Sequence, residues 1–138
     1  MSTTLNRVTA DSGLAVAFFI LSMFMATSTV MAADPILNIE DSPITTSQDL
    51  SMEDVERIII EGCRVRNWEP DVVAPGHIVA TLYIRSHVAK VDIMFNTKNY
   101  SITYKDSVNL DYKKGKIHRN YNKWVRNLNS DIQAQIPG

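Results

Sequence analysis

Three runs of alternating apolar and polar residues constrain the fold of this chain more than any other feature. They cover 77–84, 88–95 and 100–106, and only three or four residues separate each run from the next. Alternation with period two is typical of strands that bury one face. Connections this short join antiparallel neighbours, so the runs predict a meander. The side chains predicted to point inward are Ile78, Ala80, Leu82, Ile84, Ala89, Val91, Ile93, Phe95, Tyr100, Ile102 and Tyr104.

Apolar stripes at helical spacing flank the meander on both sides. Ser51, followed by Asp54 three residues later, predicts a helix start with a near capping box. The second helix is predicted to start near His118 and to end before Pro137. The two stripes that predict these helices are Val55, Ile58, Ile59, Gly62 and Cys63, and then Tyr121, Trp124, Val125, Leu128 and Ile132.

The order of these elements predicts an α+β fold. The segment 68–74 is compatible with a short edge strand, because Pro70 is tolerated at a sheet edge, so the meander has three or four strands. Both helices can cover its apolar face. We therefore predict a two-layer sandwich made of a helix, a three- or four-stranded antiparallel meander and a C-terminal helix.

The N-terminal part predicts export. Arg7 precedes the apolar run Leu14–Met25, and Val30 and Ala32 fit the small-residue rule for cleavage after Ala32. This predicts a signal peptide over 1–32, an extended N-terminal arm over 33–49 and a single α+β domain over 50–136. The expected location is the periplasm. The alternative is an uncleaved inner-membrane anchor, although the run is short for a membrane span.

Charge and cysteine content narrow the range of partners. Residues 33–71 hold ten acidic and three basic side chains, whereas 98–126 hold eight basic and two acidic ones. This asymmetry indicates intramolecular complementarity or a basic face that meets a partner or a membrane surface. The isoelectric point of 6.3 argues against a nucleic-acid binder. Cys63 is the only cysteine, so no internal disulfide can form.

Catalytic and cofactor motifs are missing from the sequence. The histidines His77, His87 and His118 lack metal-ligand spacing. No serine lies in a nucleophile-elbow pattern, and the stretch around Gly115 lacks the rest of a phosphate-binding loop. We therefore predict no catalytic, metal-binding or cofactor-binding residues and no cofactor, and we favour a role other than an enzyme.

The turn Arg85–His87 is the most interesting candidate for binding. Together with neighbouring strand residues it predicts a cationic, hydroxyl-bearing patch on the outer sheet face, and an arginine suits carboxylate or phosphate recognition. The alternative is a solvated face on which Asp92 pairs with Lys90 or Arg85. His118 has two possible roles: it can bond the loop backbone near Asn109 or line a shallow site. The candidate surface consists of Tyr83, Arg85, His87, Lys90, Lys105 and His118.

The order and spacing of several motifs resemble a family of small, uncharacterised exported proteins of Gram-negative bacteria, many of them described as lipoproteins. The resemblance covers 52–132 and rests on Trp68, Pro75–Gly76, Thr81–Leu82, Arg85, His87, Tyr100–Ser101, Tyr104, 107–110, Ile117–His118, Tyr121–Asn122 and Trp124. It implies an exported domain and no particular activity. This chain lacks the lipobox cysteine of many members, which favours a periplasmic protein without a lipid anchor.

Three functions fit these features. The first is a non-enzymatic domain of the cell envelope that binds an unidentified protein, ligand or envelope component. The second is a structural envelope protein that associates with itself through the open sheet face. The third is a small hydrolase that uses His87 or His118, because a histidine suits proton transfer near neutral pH.

Overall fold

A computed structural model describes residues 33–138, which form a two-layer α+β sandwich. The predicted signal peptide, residues 1–32, lies outside the described residues. Within them, neither helix is both long and apolar enough to cross a membrane. The elements are β1 (Ala33–Pro35), β2 (Ile39–Pro43), α1 (Met52–Val65), β3 (Glu69–Ala74), β4 (His77–Ile84), β5 (His87–Phe95), β6 (Asn99–Val108), β7 (Lys116–His118) and α2 (Arg119–Gln135).

The main sheet confirms the predicted meander and extends it by one strand. Strands β3, β4, β5 and β6 pair in chain order, and β2 joins the far edge beside β6, so the order is β2-β6-β5-β4-β3. All pairs are antiparallel. The inward positions of β4 and β5 are buried from Ile78 to Leu82 and from Ala89 to Phe95. The segment around Pro70 forms the predicted edge strand, β3.

The predicted division between an extended arm over 33–49 and a domain over 50–136 needs correction. The arm is extended, but it contributes two strands to the fold. Strand β2 pairs with β6, and β1 pairs with β7 in a separate two-stranded ribbon. The segment between β6 and β7 is short, because β6 continues to Val108 and β7 begins at Lys116.

Asn122 holds part of this arm against α2. Its amide donates to Pro35 O at 2.9 Å, and its Oδ1 accepts from Leu37 N at 2.9 Å. Asn122 lies off the apolar stripe of α2, yet it is buried. The reason is that the arm itself covers it and supplies the hydrogen-bond partners that a buried amide requires.

Both helices cover the same sheet face, as predicted, and they contact each other closely. The whole predicted stripe of α1 is buried, including Cys63. In α2 the predicted stripe is fully buried except Trp124, which is half-buried. Helix α1 ends at Val65, and Asn67 follows with a positive φ of 63°, a conformation common just after a helix.

The start of α1 carries the capping box that the sequence predicts. Ser51 Oγ accepts from Asp54 N at 3.1 Å, and Asp54 Oδ2 accepts from Ser51 N at 2.9 Å. Replacing Ser51 by alanine leaves a helix N–H without its acceptor, and we expect the free energy of unfolding to fall by about 1 kcal/mol. Urea titration measures this. Ser130→Ala on the exposed side of α2 is the control, and an equal loss there would contradict a capping role.

Candidate binding groove

The outer face of the sheet carries most of the predicted candidate surface, but its charges are balanced. Asp92 accepts a 2.7 Å hydrogen bond from His77 Nε2 and lies 3.6 Å from Lys105 Nζ. Lys90 stands opposite Asp106 in the ladder between β5 and β6. Asp92 is therefore paired as the solvated-face alternative supposes, although with His77 and Lys105 rather than with Lys90 or Arg85. A cationic patch does not form here.

One row of the outer face is apolar instead. Tyr83 pairs with Val88, and Val88 pairs with Val108, so three apolar side chains cross three strands. Tyr83 is 59% exposed and Val108 is 51% exposed. Arg85 follows Tyr83 in the tight turn, with a positive φ of 55° and an exposed side chain. This row was not predicted.

The sequence places His87 in the turn. In the structure it begins β5, and its ring lies on the opposite side of the sheet from Tyr83. It pairs with Ile84 across the turn and shares the alternation of Ala89, so its ring points toward the helices. There it lies beside α2, with its ring centre 6.5 Å from that of His118 and 6.3 Å from that of Trp124. We call His87 and His118 the histidine pair.

Hydrogen bonds fix both rings of the histidine pair. His87 Nδ1 lies 2.7 Å from the carbonyl oxygen of Asn109, so Nδ1 must donate and Nε2 of the neutral ring is left as an acceptor. His118 Nδ1 accepts from Asn120 N at 3.2 Å at the start of α2. The Nε2 of neutral His118 therefore carries its proton. The pair offers one acceptor and one donor.

The contact expected between the His118 side chain and the loop near Asn109 is made by His87 instead. The Asn109 amide also donates to Ser86 O at 2.8 Å, so this one residue ties the loop after β6 to the turn between β4 and β5. His118 reaches the loop only through its backbone N–H, which donates to Leu110 O at 2.8 Å. The rings of the histidine pair are thus held between two anchored segments.

A groove of about 410 Å³ opens between the C-terminal end of α1, strand β4 and α2. Both tryptophans of the chain line it, with Trp68 as a buried wall and Trp124 partly exposed. Ile84, the cross-strand neighbour of His87, is also part of the lining, but neither ring of the histidine pair is. We call this groove the tryptophan groove. Its lining is Val65, Arg66, Asn67, Trp68, Leu82, Ile84, Trp124 and Asn127.

Arg66 is the charged group of the tryptophan groove. Its Nε donates to Asp131 Oδ2 at 2.8 Å, and the Asp131 side chain is only 10% exposed. This buried carboxylate fixes the plane of the guanidinium. Within 33–138 the Nη atoms of Arg66 make no hydrogen bond to protein, so their donors face solvent. An arginine held in this way is suited to a carboxylate or phosphate group.

A second depression, of about 440 Å³, lies between the start of α1 and strand β3. Its lining is mainly small and aliphatic, with Phe95 as its only aromatic side chain and Glu53 and Glu56 as its charged groups. It brings no histidine, arginine or tryptophan together. The tryptophan groove therefore has the richer recognition chemistry, since it combines aromatic walls with an oriented cation.

The described residues supply the histidine pair with no nucleophile. No serine, threonine or cysteine in 33–138 is hydrogen-bonded to a histidine ring. Burial raises the pKa of the Cys63 thiol to about 12, so this group stays protonated at neutral pH. The tryptophan groove brings together two aromatic side chains and one positive charge.

No family model, no curated protein and no solved structure matches this chain. The residues of the site therefore rest on geometry alone. Sequence patterns missed Trp68, Arg66 and Asn127 as site residues, and they assigned Trp124 to the core. Trp68 and Trp124 are remote in sequence, and no local signal indicates that they share a groove.

Proposed function

We propose that this protein is a non-enzymatic, exported binding domain of the cell envelope, and that the tryptophan groove is its ligand site. The observation that carries the proposal is that both tryptophans line one open groove whose charged group is an arginine held by a buried aspartate. Such a combination of apolar walls and few polar groups is typical of ligand sites, and about 410 Å³ lies within their usual range.

The chemistry of the lining selects the ligand class. Trp124 and Ile84 favour an apolar or aromatic body, and the free Nη donors of Arg66 favour an anionic group attached to it. We infer a ligand, or a segment of a partner protein, that carries a carboxylate or phosphate next to an apolar part.

Photo-crosslinking in cells tests the site. A photoreactive residue at Val65, on the groove and 53% exposed, is expected to trap the ligand or partner as a discrete adduct identified by mass spectrometry. The matched control is Val108 on the outer sheet face, 51% exposed, where we expect no such adduct. Asn127→Asp places a negative charge in the groove and should weaken the Val65 adduct, whereas Asn127→Gln should preserve it. An adduct at Val108 with none at Val65 would refute the groove.

Self-association through the outer face is a second candidate, favoured by the exposed row of Tyr83, Val88 and Val108. Contiguous exposed apolar side chains are typical of interaction surfaces. If two copies of the chain associate through this face, the Val108 probe gives an adduct with the mass of two copies. Tyr83→Lys, in the same row, should remove that adduct and convert a dimer to a monomer in light scattering. A monomer at all concentrations would exclude it.

A further inference from the structure

Six exposed basic residues lie together at the entry to α2, away from the tryptophan groove. Three lysines fall in the tight hairpin before β7, where Lys113 and Lys116 exchange backbone hydrogen bonds of 2.9 and 3.0 Å. Three more basic residues follow on α2 at helical spacing and line one depression with Asp34. None of the six forms an ion pair within 33–138. We call this set the basic face: Lys113, Lys114, Lys116, Arg119, Lys123 and Arg126.

The N-terminal segment joins the domain beside the basic face. Strand β1 is the first described element, and it pairs with β7 so that Ala33 stands opposite His118 and Pro35 opposite Lys116. The hydrogen bonds of Asn122 to Pro35 and Leu37 hold the chain there. Ala33, where the described chain begins, therefore lies on the same two-stranded ribbon as Lys116.

The sequence before Ala33 indicates which kind of partner the basic face meets. Seven residues separate the apolar run Leu14–Met25 from Ala33, so these eight Cα–Cα steps span about 29 Å at most when the chain is extended. An apolar segment of this kind is directed to a bilayer during export, and Ala33, the first described residue, lies beside the basic face. We propose that the basic face docks onto the anionic surface of an envelope membrane.

Electrostatics support this choice of partner. Basic clusters next to a membrane-directed segment are attracted to anionic lipid headgroups, and each Lys or Arg near the surface adds to the attraction. The attraction acts within about 10 Å at moderate ionic strength, so it needs side chains that reach the surface and weakens with salt. The six side chains are exposed and unpaired in the described part of the chain, which meets this requirement. The proposal does not depend on the tryptophan groove.

Vesicle sedimentation tests the proposal with the chain from Ala33 onward, which contains the entire core described above and lacks the apolar run. We expect it to sediment with vesicles that contain phosphatidylglycerol at low salt, to be released by high salt, and to stay in solution with pure phosphatidylcholine. The triple variant K113E/K116E/R119E should lose about tenfold or more in partitioning. The matched control R57E/R64E/K98E changes the net charge equally at exposed sites elsewhere and should keep it.

Several outcomes would overturn the proposal. Equal sedimentation with both kinds of vesicle would mean that charge is not the cause. An equal loss in the control variant would mean that net charge, not this face, drives binding. Displacement by soluble glycerol 3-phosphate would indicate a small-anion site in place of a membrane surface. Salt-sensitive self-association without vesicle binding would assign the face to a second copy of the chain. Thermal melts establish that each variant is folded.

Discussion

Replacing Gly62 by alanine is expected to lower the free energy of unfolding by about 2 kcal/mol or more. A Cβ at this position would lie 2.6 Å from Ile132 Cγ1 and 2.7 Å from Ile132 Cα. A change of rotamer can move the first atom, but the second belongs to the backbone of α2. The two helices would have to separate at their crossing point, which loosens the core on both sides.

The direction of this effect is diagnostic, because alanine is a better helix former than glycine by about 1 kcal/mol. Helix propensity alone therefore predicts that Gly62→Ala stabilises the protein. Urea denaturation with a constant slope distinguishes the two outcomes. Glu61→Ala, at the exposed neighbouring position, is the control and should change stability little. A stabilised Gly62→Ala protein would show that the helices do not approach so closely.

The larger elements of the fold could be predicted from local patterns, because each pattern reports burial along one element. The alternation from Ile78 to Phe95 and the stripe from Val55 to Cys63 both reflect a continuous apolar face. Strand β2 has no such pattern. Of its side chains that face the helices, Ile39 is apolar but Ser42 is polar. Its place at the sheet edge depends on pairing with β6, which is a tertiary property.

The candidate site was harder to predict, for two reasons. His87 was assigned to a turn, although it has the same parity as Ala89 and Val91 and the alternation already implied an inward ring. That signal was present in the sequence. The pairing of Asp92 with Lys105, in contrast, depends on the bulge beside Lys90, which shifts the register of β6. No local pattern contains this information.

Buried hydroxyl groups also depend on tertiary contacts, and two tyrosines that sequence patterns treat alike have opposite environments. Tyr100 OH donates to Asn129 Oδ1 at 2.6 Å and accepts from Gln133 Nε2 at 3.0 Å. Tyr121 is also fully buried, but its hydroxyl has no hydrogen-bond partner among the described residues. An unpaired buried hydroxyl costs about 1–3 kcal/mol relative to a paired one.

We therefore expect opposite results from the same chemical change at these two positions. Tyr100→Phe removes the hydrogen bonds that the hydroxyl makes with Asn129 and Gln133, while Ser42 stays bonded to both amides. We expect this variant to destabilise the protein by about 1 kcal/mol. Tyr121→Phe removes only the unpaired hydroxyl, so stability should stay constant or rise. The two variants remove the same atom from buried rings, and each is the control for the other in urea denaturation. A loss of similar size in both would mean that Tyr121 has a partner.

The fall in the free energy of unfolding at alkaline pH gives an independent test of the burial of the Tyr121 hydroxyl. Burial raises the pKa of Tyr121 from its ordinary value of 10.0, which means that the folded protein holds the neutral phenol more strongly than the unfolded chain does. The stability linked to this proton is fully present below pH 10 and is lost as the pH rises above it. Tyr121→Phe removes the titrating group, so its free energy of unfolding should fall less steeply above pH 10. Part of the loss should persist, because burial also raises the pKa values of Tyr100 and Tyr104. An unchanged alkaline slope in Tyr121→Phe would mean that its hydroxyl is exposed to solvent.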